Sequence, residues 1–175
     1  LRPRVIVLFV GRLERQKNLD VLIKAVADLN RNAKLIFVGD GSLKEKLIKL
    51  AEKLKIDLEV KDSIPNDQLP KVYQQADIFV LPSLIEGHPK ALLEAMACGL
   101  PCLASDIVGC KGIITDDGNG LLARPTIDGI AGGLNQLVED RNLRRRLGKK
   151  ARETVEKKFD KRKLIKKEIQ SLQSL

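Results

Sequence analysis

The chain is predicted to be an α/β protein: a Rossmann-like, doubly wound parallel sheet with helices on both faces and a helical C-terminal tail. Three observations predict it. Strand-sized apolar runs alternate with longer amphipathic stretches, the pattern of parallel strands joined by right-handed crossovers. The amphipathic stretches keep the helical period: in the first, apolar residues fall at 19, 22, 23, 26 and 29. Finally, turns carrying glycine or polar residues follow the strands. In a parallel sheet these turns share one edge, where the ligands of such sheets bind.

The first strand is expected at 4–10, because the run from Val5 to Val10 is the longest apolar stretch and is strand-sized. Helix 19–30 follows it. Strand 34–38 then leads into helix 43–54, strand 58–61 into helix 68–75, and strand 78–81 into helix 89–98. Strand 102–105 and a short strand at 121–123 precede helices at 127–139 and 143–159, with a tail helix after Asp160. The domain is expected to occupy 1–159 and the tail helix 160–175. No internal repeat, low-complexity run or Pro/Gly/Ser linker divides the chain. Gly11-Arg12, Gly39-Asp40-Gly41, Ser63-Ile64 and Glu86 each follow one of the first four strands, so they converge on one edge.

With 175 residues the chain matches one domain of the usual size, large enough for a real core. Its 43% hydrophobic and 31% charged residues fit a soluble globular protein. No apolar run approaches the roughly 20 residues of a membrane span, and no signal peptide is expected. Because it opens on Leu1 rather than Met, we expect an excised piece of a longer protein.

The net charge of +9 is concentrated: residues 141–168 hold 14 Lys/Arg against 4 Asp/Glu, and the remainder is nearly neutral. Leu143, Leu147, Ala151 and Val155 recur every fourth residue, so one face packs and the other carries the charge. A solvated face is the preferred reading; docking to an anionic membrane surface is the sharper one, at roughly 1 kcal/mol per cation. Nucleic acid is not an expected partner, since 3% aromatic content offers few stacking platforms. Cys98, Cys102 and Cys110 lack metal-binding spacing, and one histidine makes a zinc site improbable. Cys98 and Cys102 are expected to be buried, and Cys110, in a glycine-flanked loop, exposed. Three free cysteines fit a reducing, cytoplasmic compartment.

The chemistry concentrates between Ser83 and Pro101. Pro89 suits the first position of a helix, and His88 before it is a poor N-cap. The N–H groups of Lys90, Ala91 and Leu92 are thus expected to be free at the positive end of a helix dipole, where a phosphate can cap them. Glu86 is expected in the loop, facing an entering ligand. Glu94 is expected on the helix, as a charged acceptor for a pair of sugar hydroxyls.

Glu86-Gly87-His88-Pro89, Leu92-Leu93-Glu94-Ala95 and Gly99-Leu100-Pro101 together resemble the signature of the retaining family-4 glycosyltransferases of GT-B fold. Val10-Gly11-Arg12-Leu13 with Gln16-Lys17-Asn18 resembles the diphosphate-binding loop of that family. Phe37-Val38-Gly39-Asp40-Gly41 and Asn119-Gly120-Leu121-Leu122 resemble its later turns. The resemblance spans about residues 4 to 140 and implies half of a GT-B fold, the C-terminal donor-binding domain, with the N-terminal acceptor domain absent from this chain. It implies transfer of a hexosyl group from a UDP- or GDP-sugar with retention. Arg12 and Lys17 would meet the diphosphate, Gly11 would allow its close approach, and Glu86 would bind the transferred sugar. Glu94 would take the ribose hydroxyls, Lys90 and Ala91 would offer N–H groups, and Ile64 would help hold the base. Two cations and a helix terminus would stand in for a metal ion, so neither metal nor cofactor is expected.

The chain departs from the family pattern at two places. His88 replaces the aromatic residue common after Glu-Gly; it either contacts the sugar or fills its space, and we favour filling. Lys111-Gly112 stands where many relatives carry an acidic residue. A glycosidase carboxylate pair leaves Arg12, Lys17 and the uncapped helix unexplained. Gly39-Asp40-Gly41 lacks the third glycine of a dinucleotide fingerprint, which counts against NAD. Two rivals stay open: an inactive nucleotide-sugar-binding partner subunit, and a nucleotide-sugar epimerase of the same fold.

Overall fold

The computed structural model describes residues 4–29 and 33–158. Strands β1 (Val5–Val10), β2 (Ala33–Val38), β3 (Leu58–Lys61), β4 (Ile78–Leu81), β5 (Cys102–Ser105) and β6 (Leu121–Ala123) form one parallel sheet. Their order is β3-β2-β1-β4-β5-β6. The chain winds outward from β1 to β3, returns to the middle, and winds outward the other way from β4. The winding reverses between β1 and β4, and a crevice opens there at the carboxyl edge.

Burial explains this arrangement. β4 and β5 are buried throughout, and β1 and β2 at all but one residue each, as strands covered by helices on both faces must be. Phe9 and Phe37 are register partners in β1 and β2 and meet edge-on at 5.8 Å. Edge strand β3 alternates Leu-Glu-Val-Lys and is half-buried. Helix α1 (Leu19–Ala27) packs against α2 (Lys44–Lys53) and α6 (Ile127–Glu139), while α4 (Lys90–Ala97) packs against α7 (Arg141–Lys158). Two shorter helices, α3 (Leu69–Gln74) and α5 (Val108–Lys111), complete the described fold.

All six expected strands are present within one residue of their expected bounds. The first helix stops at Ala27, short of the expected 30, where the Asp28 N–H still reaches the Lys24 carbonyl. The apolar stripe of α7 packs as expected, with Leu147 and Ala151 fully buried and Leu143 and Val155 against the core. Asp140 caps α7 by accepting the Leu143 N–H at 2.9 Å, and the Arg144 guanidinium donates to the Leu137 and Val138 carbonyls that end α6. The tail helix expected at 160–175 lies outside the described residues.

The expected loop around Cys110 is instead the single helical turn α5, and Cys110 is fully buried rather than exposed. The turn lies flat against the Glu86 loop: a Cβ on Gly109 would stand 2.2 Å from the Glu86 carbonyl oxygen. Cys98, the C-cap of α4, is half-buried rather than buried, and Cys102 is buried as expected.

Candidate functional site

The site begins where β1 and β2 end. The Gly11 N–H donates to the Val38 carbonyl and the Leu13 N–H to the Asp40 carbonyl, both at 2.9 Å, which laces the two loops together. They touch backbone to backbone at Gly39, whose φ is +143° and whose added Cβ would lie 2.0 Å from the Gly11 oxygen. Glu14 accepts from the Ser42 N–H and hydroxyl, which chiefly hold its carboxyl below its ordinary pKa; the charge of Arg12 adds to this. Arg12 itself is exposed and forms no salt bridge among the described residues.

A 3-10 turn at Arg15–Lys17, which the sequence pattern does not signal, then delivers Lys17 to the crevice. Asn18 follows in the left-handed conformation (φ 56°), where Asn is one of the few residues at ease. Its buried amide donates to the Pro82 and Pro125 carbonyls at 3.2 and 3.1 Å, tying the turn to the ends of β4 and β6. Lys17 Nζ thereby sits 2.6 Å from Glu86 Oε1, and the two side chains are 15% and 9% exposed. Ser83 Oγ donates to the same oxygen at 2.6 Å. Glu86 thus lines the cleft, as its expected place in the loop implies, while paired with Lys17 and bonded by Ser83. Burial and the Glu86 charge push the nearby Cys110 thiol up to about 12.

The start of α4 differs from expectation by one residue. Pro89 is the N-cap (φ −76°, ψ 80°) rather than the first helical residue, and no side chain caps the helix. The Lys90 N–H donates to the His88 carbonyl at 2.9 Å and the Leu92 N–H to the Pro89 carbonyl at 3.1 Å. Of the three N–H groups expected to be free, the Ala91 N–H alone lacks a protein acceptor among the described residues. Leu92, expected to act through its N–H, is fully buried and does not line the cleft, and that N–H is bonded to Pro89. Glu94 accepts from the Tyr73 hydroxyl at 2.9 Å through Oε2, and Lys90 Nζ stands 3.4 Å from its Oε1.

These groups wall one cleft of about 470 Å³ at the β1–β4 reversal. Gly11, Arg12 and Lys17 line it from the β1 side, and Glu86, His88, Pro89, Lys90, Ala91 and Glu94 from the β4 side. A smaller chamber of about 210 Å³ shares Val10, Gly11, Arg12 and Leu69 with it and contains Asp40, Ser63 and Ile64. The structure thus gathers the expected site residues, apart from Leu92, around two adjoining spaces.

Residues 2–154 match the family described as glycosyl transferases group 1. The chain belongs to that family. It is similar to an uncharacterised glycosyltransferase of Methanocaldococcus jannaschii, 34% identical over 158 residues that cover 87% of this chain and 40% of the relative. Among solved structures, Anabaena HepE in complex with UDP shares the fold with a TM-score of 0.90 at 22% identity, over 98% of this chain and 49% of HepE. Staphylococcus aureus TarM, in a complex that includes UDP, has a TM-score of 0.85 at 27% identity, over 97% of this chain and 36% of TarM. This group 1 glycosyl transferase chain therefore spans less than half the length of each of these relatives.

Several residues that shape the cleft escape sequence reasoning. Asn66 and Leu69 line it from the segment entering α3. Asn18, Ser83 and Tyr73 position others, and their partners lie 64, 3 and 21 residues away. Of these, Ser83–Glu86 alone is a local signal, and Asn directly after Lys17 hints at the left-handed turn. Conversely, the Asn119 turn does not line the cleft. Its buried side chain accepts from the Thr115 N–H and donates to Ile113 and Thr154, so that family landmark fastens the loop to α7.

Proposed function

We propose that this chain is the donor-binding half of a retaining glycosyltransferase that takes its sugar from a UDP- or GDP-sugar without a metal ion. One observation carries the reading: an exposed guanidinium, a lysine–carboxylate pair, an unpartnered helix N–H and a second carboxylate meet in one cleft at the strand-order reversal. In this reading the diphosphate lies against Arg12, Lys17 and the Ala91 N–H, with Gly11 leaving room for it. The base enters the smaller chamber beside Ile64, Glu94 accepts from the ribose, and Glu86 accepts from the transferred sugar. His88 fills space at the mouth, and Lys90 acts through its ammonium, since its N–H is already bonded.

As the glycosidic bond breaks, negative charge gathers on the departing diphosphate. Fixed cations and N–H dipoles stabilise that charge more than they stabilise the bound donor. An ammonium carries three protons, so Lys17 can keep Glu86 and still donate to phosphate oxygens. Arg12, Lys17 and Lys90 together supply the charge that a divalent ion supplies elsewhere. The UDP bound to TarM supports a uridine nucleotide. The acceptor site belongs, in this proposal, to an N-terminal domain outside this chain, so the chain alone binds donor and barely transfers. The exposed cations of α7 fit peripheral docking at the cytoplasmic face of an anionic membrane.

Calorimetric titration of UDP, GDP and ADP into this chain, and into the longer protein that contains it, tests the reading. At least one nucleotide is expected to bind, and Arg12→Ala is expected to weaken that binding about tenfold, the worth of one charged contact. Binding of none to either protein overturns it. Turnover of a nucleotide sugar by the longer protein separates an enzyme from an inactive partner subunit.

A further inference from the structure

We propose that Tyr73 is a positioning residue for Glu94, and that its hydroxyl sets how strongly the site prefers ribose to deoxyribose in the donor nucleotide. The inference rests on the donor-binding reading and adds to it a side chain that touches no ligand. Tyr73, on α3, is 1% exposed and lines neither the cleft nor the smaller chamber. Its ring lies edge-on against Phe79 of β4 with centroids 6.0 Å apart, which fixes where the hydroxyl points. That hydroxyl is 2.9 Å from Glu94 Oε2 and 3.4 Å from the Ala91 carbonyl. A carbonyl at the longer distance is a poor acceptor, so the strong, charge-assisted bond is the one to Glu94.

The consequence for Glu94 is directional. Its side chain is 27% exposed, and the terminal torsion of a glutamate is broad and readily rotated. The other neighbour, Lys90, is 66% exposed at 3.4 Å and restrains it little. Anchored through Oε2 by a rigid phenol, the carboxylate holds one plane and offers its remaining lone pairs to hydroxyls arriving in the cleft. A fixed acceptor penalises a ligand that lacks a hydroxyl, because its free lone pairs stay aimed at the missing group. A carboxylate free to turn escapes that penalty by rotating to solvent. Burial and the Glu94 charge both raise the phenol pKa, so Tyr73 remains a donor over the working pH range. Leu69, one turn earlier on α3, walls both spaces, so the same helix that bounds the nucleotide also aims Glu94.

The test is titration of UDP and 2′-deoxy-UDP, with GDP and 2′-deoxy-GDP in parallel, into the wild-type chain and into Tyr73→Phe, Glu94→Ala and Phe79→Leu variants. A thermal midpoint for each variant checks folding. Wild type is expected to favour the ribonucleotide about tenfold, one good hydrogen bond's worth. Tyr73→Phe is expected to bring that ratio close to one while leaving deoxynucleotide affinity nearly unchanged. Phe79→Leu keeps the hydroxyl but frees the ring, and is expected to lower the ratio in the same direction. A Tyr73→Phe variant that keeps the wild-type ratio, or loses both affinities equally, overturns this inference and leaves the donor reading standing. A wild type without ribose preference, or a Glu94→Ala variant with an unchanged ratio, overturns the role of Glu94 and this inference with it. Failure of every nucleotide to bind the wild type sinks the donor reading itself.

Discussion

Lys17 and Glu86 form a contact of 2.6 Å with both side chains largely out of water, an arrangement in which losing one partner costs more than losing both. Lys17→Ala leaves the Glu86 carboxylate with Ser83 as its side-chain hydrogen-bond donor. We expect that variant to lose about 1–3 kcal/mol of unfolding free energy. Adding Glu86→Gln should restore part of the stability and none of the UDP affinity. A double-mutant cycle by urea unfolding, with titration of each variant, reads both effects; strict additivity would show that the pair is uncoupled. The cysteines give a second prediction. Burial raises the thiol pKa values of Cys98, Cys102 and Cys110, to about 12 for Cys110, so the three stay protonated near neutrality. Native protein at pH 8 should react with Ellman's reagent slowly at Cys98 and not at Cys102 or Cys110 until urea unfolds it. Rapid labelling of Cys110 would contradict the position of α5.

At the scale of elements, periodic helices and apolar strands were legible, whereas two single turns were not. Helix α6 appears over the expected residues because its apolar period runs for more than three turns and Thr126 caps it, accepting the Gly129 N–H. The 3-10 turn before Asn18 and the single turn of α5 have no period to read, and each exists because the neighbouring loop holds it. The start of α4 was misplaced by one residue because Pro is allowed at either position; the Lys90 N–H bond to His88 decides between them, and no sequence pattern records it. Contact between the first two loops was also invisible, since it depends on the absence of a Cβ at Gly39. Gly39→Ala should force those loops apart, lower stability by about 1–3 kcal/mol and weaken UDP binding. Thermal unfolding and titration check this, and a variant as stable as wild type would show that the loops yield without cost.

For the molecule as a whole, the doubly wound fold followed from strand–helix alternation, and the edge where the candidate residues gather followed from the fold. The four turns expected at one edge do line the two spaces there; what could not be read is that the later landmark at Asn119 lies apart. The turns after β1 and β4 meet because the strand order reverses between them, whereas the turn at Asn119 is held away by its bonds to Thr115, Ile113 and Thr154. The basic residues of α7 likewise divide by packing. Arg144 caps α6, while Arg145, Lys149 and Arg146, the last paired with Asp117 at 2.5 Å, are exposed. The central claim is that a nucleoside diphosphate lies across the crevice between β1 and β4. A crystal of this chain soaked with UDP addresses it most directly. The account predicts diphosphate oxygens about 3 Å from Arg12, Lys17 Nζ and the Ala91 nitrogen, with the base beside Ile64. UDP seated elsewhere, or a crevice closed by the protein's own side chains, would contradict it.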